Sequence, residues 1–197
     1  MRHKSLMFVS IVAVTLTACG KTDTSASDSA AATLGTSGAD TMGGMAGVAS
    51  TPARDADQEF LRMMIDHHEG MVVMADTAVN KAATADVRSD ATKMRTKQKD
   101  EQQKMQAMLR AQYSEDKMAM VTPGDASMVT MLAGASGAAF DRQFREHVIM
   151  HHEAGIKMID QFSPRLTKAE LKQMATKMKA DQTKEIAELR RELGSSS

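Results

Sequence analysis

The sequence predicts an all-α protein, a four-helix bundle built from two repeated helical hairpins. Three observations carry that prediction. The stretch Asp66-His67-His68-Glu69-Gly70-Met71 returns as Met150-His151-His152-Glu153-Ala154-Gly155, 84 positions later. Its flanks return in the same register: Phe60 with Phe144, Ile65 with Ile149, Met74 with Met158, Met94 with Met178, Gln98 with Gln182 and Glu101 with Glu185. A repeat that keeps both halves of such a pattern implies a duplicated hairpin. Four long stretches space their apolar residues with the period of a helix. Strand signals are scarce, with one Tyr and no Trp.

The chain begins with an address. Arg2, His3 and Lys4 form a positive start, and residues 6–16 are an apolar run too short to span a bilayer as a mature helix. It closes on Leu16-Thr17-Ala18-Cys19, which resembles a bacterial lipobox. Residues 1–18 then read as a lipoprotein signal peptide, and Cys19 as the lipidated first residue of an exported protein held on a membrane surface, with an outer membrane compatible. The competing reading is a plain secretory signal. Cys19 is the only cysteine, so an internal disulfide is impossible. Residues 19–52, rich in Ser, Thr, Ala and Gly, read as a flexible tether. Within it, Met42-Gly43-Gly44-Met45 offers two thioethers that suit Cu(I) or are inert. The chain is neutral overall; losing Arg2 and Lys4 with the signal leaves a slight negative surplus and no electrostatic footprint for nucleic acid.

The first hairpin occupies residues 53–114. Its first helix is expected over residues 55–83. Phe60, Met63, Met71, Met74 and Ala78 lie within about 40° of His67 around the helix axis, with Met64 about 60° away. His67 is therefore central in the apolar stripe, His68 lies on its flank and Glu69 points away. A second helix is expected over residues 86–112, with Gln98 and Glu101 in an otherwise apolar stripe, where buried polar groups need partners. Residues 115–136 form a connector with Pro123 and Gly124 and a short helix near residues 128–133. The second hairpin, residues 137–197, repeats the first, with helices over residues 138–162 and 167–193. His147 stands where the first repeat has Met63, and Pro164 ends the third long helix.

Sulfur is the chemical signal. The chain has 19 Met, 17 of them beyond the signal, against 10 Leu. Methionine is often a mere core filler. Here, however, Met63, Met64 and Met71 lie one helical turn from His67 and His68. Thioether with imidazole is a soft, neutral donor set that suits Cu(I) or Ag(I), and Cu(II) through nitrogen. The ligand pool is His67, His68, Met63, Met64, Met71, Met74, His147, His151, His152 and Met158. A pseudo-twofold packing would bring His67, His151, Glu101 and Glu185 together, with Gln98 and Gln182 nearby. Those carboxylates then either serve the ion and orient the imidazoles, or form a His–Glu network that fixes register.

Other chemistries find no support. Di-iron bundles need Glu-x-x-His, and zinc proteases need His-Glu-x-x-His; neither occurs. No Ser or Cys nucleophile sits beside a base. The chain is expected not to be an enzyme.

These residues also carry a resemblance. Phe60-Leu61-x-Met63-Met64-Ile65-x-His67-His68-Glu69-Gly70-Met71-x-x-Met74-Ala75 resembles the signature of the domain of unknown function 305 family. The likeness extends to Gln98-x-x-Glu101, His151-His152-Glu153 and Gln182-x-x-Glu185, over roughly residues 55–193. The resemblance implies a ferritin-like four-helix bundle, and a copper-binding or copper-tolerance role in the cell envelope, since the family includes CopM-type periplasmic copper-binding proteins. The second copy departs from the pattern: its glycine is shifted to Gly155, and Lys157 enters beside Met158, so its site is expected to differ.

The expectation is thus an exported lipoprotein that binds copper, preferentially Cu(I), for sequestration or transfer to envelope copper-handling proteins, facing the periplasm. The alternatives are a structural module of the envelope held by its His–Glu ring, and a ferritin-like redox enzyme. Metal needs neutral imidazole, so binding through His67 or His151 is expected to weaken as pH falls past histidine's ordinary value of about 6.5.

Overall fold

The computed structural model describes residues 51–195. The expected signal peptide, Cys19 and the Met42 and Met45 thioethers fall outside the described residues, as does all but the end of the expected tether. Five α-helices are present: α1 (Ala56–Lys81), α2 (Ala85–Tyr113), α3 (Pro123–Gly134), α4 (Gly137–Phe162) and α5 (Ala169–Ser195), with a single 3₁₀ turn at Ser163–Arg165. There is no strand among the described residues, and none of these helices is long and apolar enough to cross a membrane. The four long helices are the expected bundle. α1 packs on α2, α4 on α5, and the two first helices pack on each other.

Side chains capped onto backbone set the helix starts. Asp55 accepts from Gln58 N (2.9 Å) at the start of α1, and Thr84 accepts from Val87 N at the start of α2. α5 begins later than its periodicity suggests, at Ala169 rather than Thr167. The reason is Asp57, which is fully buried on α1 and accepts from Thr167 N (2.8 Å), Thr167 Oγ1 (2.5 Å) and Lys168 N (3.1 Å). Its repeat equivalent Asp141, on α4, accepts from Ala83 N (2.8 Å), Thr84 N (2.9 Å) and Thr84 Oγ1 (2.7 Å). Each hairpin's first helix therefore caps the second helix of the other hairpin, satisfying N–H groups that a helix start otherwise leaves orphaned.

The connector differs from expectation. Instead of a short turn of helix it holds twelve residues, α3, with Thr122 as N-cap and Pro123 in its first turn. α3 packs on α1 and α4. Asp66 ties the segment ahead of it down, pairing with Lys117 Nζ (2.8 Å) and accepting from Met120 N (2.9 Å). Asp125 in the first turn of α3 fills the space above Gly70, where a Cβ would overlap its carboxyl group.

The apolar core is split in two. One cluster holds Phe60, Met64, Met105, Leu109, Phe162 and Met178. The other holds Met71, Met74, Val87, Phe140, Phe144 and Leu189. His67, His68, His151 and His152 lie in sequence between them.

Candidate functional site

Between the two clusters runs a buried polar layer with the symmetry of the repeat. His67 and His151 stack at its centre, ring centroids 3.8 Å apart and planes 34° apart. Each hydrogen-bonds the other's main chain: His67 Nε2 lies 3.1 Å from His151 O, and His151 Nε2 lies 2.9 Å from His67 O. A carbonyl can only accept, so both rings carry their proton on Nε2 and direct it outward to backbone. Nδ1 is then the lone-pair nitrogen, and on both rings it is buried without a partner. Gly155 makes the stack possible, since a Cβ there would come within 3 Å of His67 Cε1 and Gln182 Oε1. This explains the shifted glycine of the second copy: Gly70 makes room for α3, and Gly155 for the ring of His67.

His68, expected on the flank of the stripe, is fully buried, as is His152. They also take the glutamates expected to meet His67 and His151. His68 Nδ1 lies 2.9 Å from Met64 O and its Nε2 lies 3.1 Å from Glu101 Oε2. Both of those oxygens are acceptors, so the pair is complete only with a proton, or another cation, shared between Nε2 and the carboxylate. His152 Nε2 lies 2.8 Å from Glu185 Oε2. Its ring is turned so that no hydrogen bond forms there, and Nδ1 also lacks a partner. The remaining members of the layer, Gln98 and Gln182, are buried with Oε1 unpartnered in both and Nε2 unpartnered in Gln182.

The other candidates are spread on both sides of this layer. Met64 is fully buried in the first cluster, with Met63 and Met158 packed against it. Met71 and Met74 are fully buried in the second cluster. His147, four residues before His151, is buried with Nδ1 unpartnered. Among the described residues no three His, Cys, Asp or Glu side chains converge as a metal ion's ligands would. Sequence reasoning missed Asp125, whose Oδ1 lies 3.7 Å from His151 Nε2. Thr122 Oγ1 donates to its other oxygen at 2.6 Å. The signal available was Thr122-Pro123-Gly124-Asp125, a helix-start pattern. The swapped caps Asp57 and Asp141 were also visible as an 84-residue repeat pair.

Burial governs the protonation of the centre. It holds His67 down at about 3, with the charges of His68 and His152 adding to the effect. It holds His151 well below the ordinary value for the same reason, and lowers His147. The expected loss of neutral imidazole near pH 6.5 is thereby corrected for His67 and His151: desolvation disfavours the imidazolium, and they stay neutral in far more acidic solution. Burial raises Asp125. Burial also pushes Glu185 up, but the close His152 ring and the hydrogen bond and charge of Lys97 outweigh it and lower the carboxyl from its ordinary value.

The layer reaches solvent on one side. Between α2 and α5 lies an open groove of about 760 Å³, and Glu101, Glu185, Lys97 and Asp181 are among its lining.

The fold and this layer define a class of protein: a bundle of two duplicated hairpins whose core is divided by paired, buried histidines. The model of the family described as Domain of unknown function (DUF305) matches residues 12–109 and 110–193. The chain belongs to that family. Solved structures agree on the fold. The Cu(II)-bound form of CopM is 23% identical, covers 72% of this chain and 97% of its own, and superposes with a TM-score of 0.64. The Cu(I)-bound form of CopM is 24% identical, covers 68% of this chain and 93% of its own, with a TM-score of 0.60. A DUF305 putative secreted protein from Streptomyces coelicolor is 21% identical, covers 72% of this chain and 93% of its own, with a TM-score of 0.65. No curated protein matches the chain.

Proposed function

We propose that this chain is a copper-binding protein of the cell envelope, exported and anchored through lipid on Cys19, which sequesters the ion or passes it to a partner, and that it is a binding protein rather than an enzyme. The observation that carries this reading is the concentration of unpartnered buried nitrogen: Nδ1 of His67, His151 and His152 within the layer, and of His147 one helical turn from it, all lack a partner. Buried polar groups are ordinarily satisfied, and a neutral imidazole whose other nitrogen is fixed by a carbonyl is a prepared metal ligand. His67 and His151 are the residues we assign as holding the ion, with Met64 and Met71 supplying thioether sulfur from either side of the layer. Imidazole and thioether together fit copper, and favour Cu(I) over harder ions. That CopM, which shares the fold, has been solved with Cu(II), Cu(I) and Ag bound supports the choice.

The test is a competitive titration of residues 53–197, the bundle without signal and tether, with Cu(I) and a colorimetric chelator under anaerobic, reducing conditions. Binding that is lost in the His67→Ala/His151→Ala double variant supports the assignment. Binding unchanged in that variant overturns it.

One observation favours a second reading, a structural module. The reciprocal His67–His151 hydrogen bonds join the two hairpins, and each His–Glu pair joins the two helices of one hairpin, without any ion. That reading expects equal thermal stability with and without copper, whereas an ion bound only by the folded state must raise it.

A further inference from the structure

Among the described residues four aspartates are buried, and three of them are well partnered. Asp57 and Asp141 each accept three hydrogen bonds at a helix start. Asp66 pairs with Lys117 and accepts from Met120 N. Asp125 is the exception. It is 5% exposed, and among the described residues no lysine or arginine pairs with it. Its Oδ2 accepts from Thr122 Oγ1, while its Oδ1 faces His151 Nε2 at 3.7 Å, beyond hydrogen-bond length. Burial keeps His151 neutral, so this contact neutralises nothing. A buried carboxylate without a cation is costly, and this one is held tightly against Gly70, where a Cβ would overlap it.

The stacked pair supplies a reason for that anion. A nitrogen lone pair lies in the plane of its ring. Rings stacked 3.8 Å apart, with planes only 34° apart, do not aim their Nδ1 lone pairs at one point. For both nitrogens to hold the same ion, one ring must turn, and turning breaks its Nε2 hydrogen bond to the other's main chain. The freed N–H then needs another acceptor, since a buried donor left unpaired is penalised. Among the described residues His67 has no carboxylate within ion-pair distance, whereas His151 has Asp125. The connector that carries Asp125 occurs once, between the repeats, so the fold itself makes the two rings unequal.

We infer that Asp125 is the second acceptor of the central pair. As the rings part to hold an ion, His151 turns, and its Nε2–H passes from His67 O to Asp125 Oδ1, leaving its Nδ1 free to bind. A metal-ligating imidazole commonly donates its other N–H to a carboxylate or a carbonyl, which fixes the ring. The carboxylate also sets a negative charge beside a buried site whose ligands are all neutral, where an uncompensated cation is expensive. Asp125 is thus a positioning residue and not itself a ligand. The inference rests on the copper-binding reading above and adds to it which ring moves and what receives its proton donor.

The experiment measures Cu(I) and Cu(II) affinities of the full chain by chelator competition, with His67→Ala/His151→Ala as the baseline for binding outside the pair. Asp125→Asn keeps the side chain's size and an oxygen for Thr122, and it removes an unpaired charge. Its metal-free melting temperature is expected to be no lower than that of wild type. Its Cu(I) affinity is expected to fall about tenfold. Coulomb energy scales with the charge of the ion, so its Cu(II) affinity falls about a hundredfold. That tenfold difference is a rise of about 59 mV in the reduction potential of the bound copper. Thr122→Ala removes the hydroxyl that caps α3 but keeps the carboxylate. It is expected to lower the melting temperature and to leave the ratio of the two affinities at its wild-type value. No loss in Asp125→Asn, equal losses for the two ions, or the same change of ratio in Thr122→Ala overturns this inference and leaves the copper-binding reading standing. Wild-type binding no tighter than the His67→Ala/His151→Ala baseline overturns both.

Discussion

The two hairpins began as copies, and what they still share differs in kind from what they have lost. The shared residues are framework: Asp57 and Asp141, Phe60 and Phe144, His67 and His151, Gln98 and Gln182, each pair placed equivalently about the pseudo-twofold axis. The differences are chemical. The first repeat has Met63, Met64 and Met71 where the second has His147, Val148 and Gly155, and Lys97 where the second has Asp181. At these positions the first repeat carries sulfur, while the second adds a single imidazole, His147, to the histidine pairs that both share. Duplication preserved the groups that join the halves and released the residues around them.

The largest effect that would break this comparison is on the swapped caps. Asp57→Ala and Asp141→Ala are each expected to cost about 3 kcal/mol, because each carboxylate accepts three hydrogen bonds at a helix start and its loss leaves those donors unmet. Urea unfolding measures it. Equal costs uphold the equivalence of the hairpins, and a difference above about 1.5 kcal/mol refutes it.

Glycine placement comes next. Gly155→Ala is expected to cost about 2 kcal/mol by overpacking, since the new methyl meets His67 and Gln182. Ala154→Gly, at the exposed equivalent of Gly70, is expected to cost only about 1 kcal/mol, the helix-propensity difference. A reversed order in thermal melts would show that the stacked rings do not depend on Gly155.

The central pair also sets a pH dependence. The folded protein holds His67 at about 3 and His151 well below 6.5. The unfolded chain binds protons on both near 6.5, so below that pH it carries protons that the native state refuses. Stability therefore falls as pH drops from about 6.5 toward 3, by up to about 1.4 kcal/mol per pH unit for each ring, and these two rings contribute no slope above that window. Urea midpoints between pH 4 and 8 check the sign. A native state that gains stability on acidification would contradict the buried, neutral pair.

The smallest structural effect sharpens the chemical contrast. Met64→Leu and Met71→Leu conserve volume and are expected to cost under about 1 kcal/mol in stability. If sulfur serves the ion, Cu(I) affinity drops by about tenfold while Cu(II) affinity stays level, as chelator competition would report. An unchanged Cu(I) affinity makes these methionines core packing alone.

Most of the fold was legible because hydrophobic period survives in any amphipathic helix, and the long helices end within a few residues of where Pro164 and the apolar stripes place them. α3 was largely illegible. Met128, Val129 and Leu132 face the core while Met131 stays half-exposed, and twelve residues with so few apolar contacts give no clear stripe. Of the candidate site, the identity of the paired histidines was readable from the repeat. Their roles were not: helical angle put His68 on a flank, yet α2 and α3 cover α1 on two sides and leave that flank no solvent.

The residues themselves were enough to dictate a duplicated all-helical bundle, a layer of histidines with repeat-related glutamates, and a surplus of sulfur, because periodicity and repetition are properties of the chain. Packing alone decided which histidine meets which partner. His67 and His151 find each other's backbone, His68 and His152 take the glutamates, and Lys97 reaches Glu185 across the axis, because contacts between helices depend on how far each rotates and how closely a glycine lets it approach. Burial then set the charge of the central rings, a quantity that no local stretch of sequence contains, since it belongs to the water that the rest of the fold excludes.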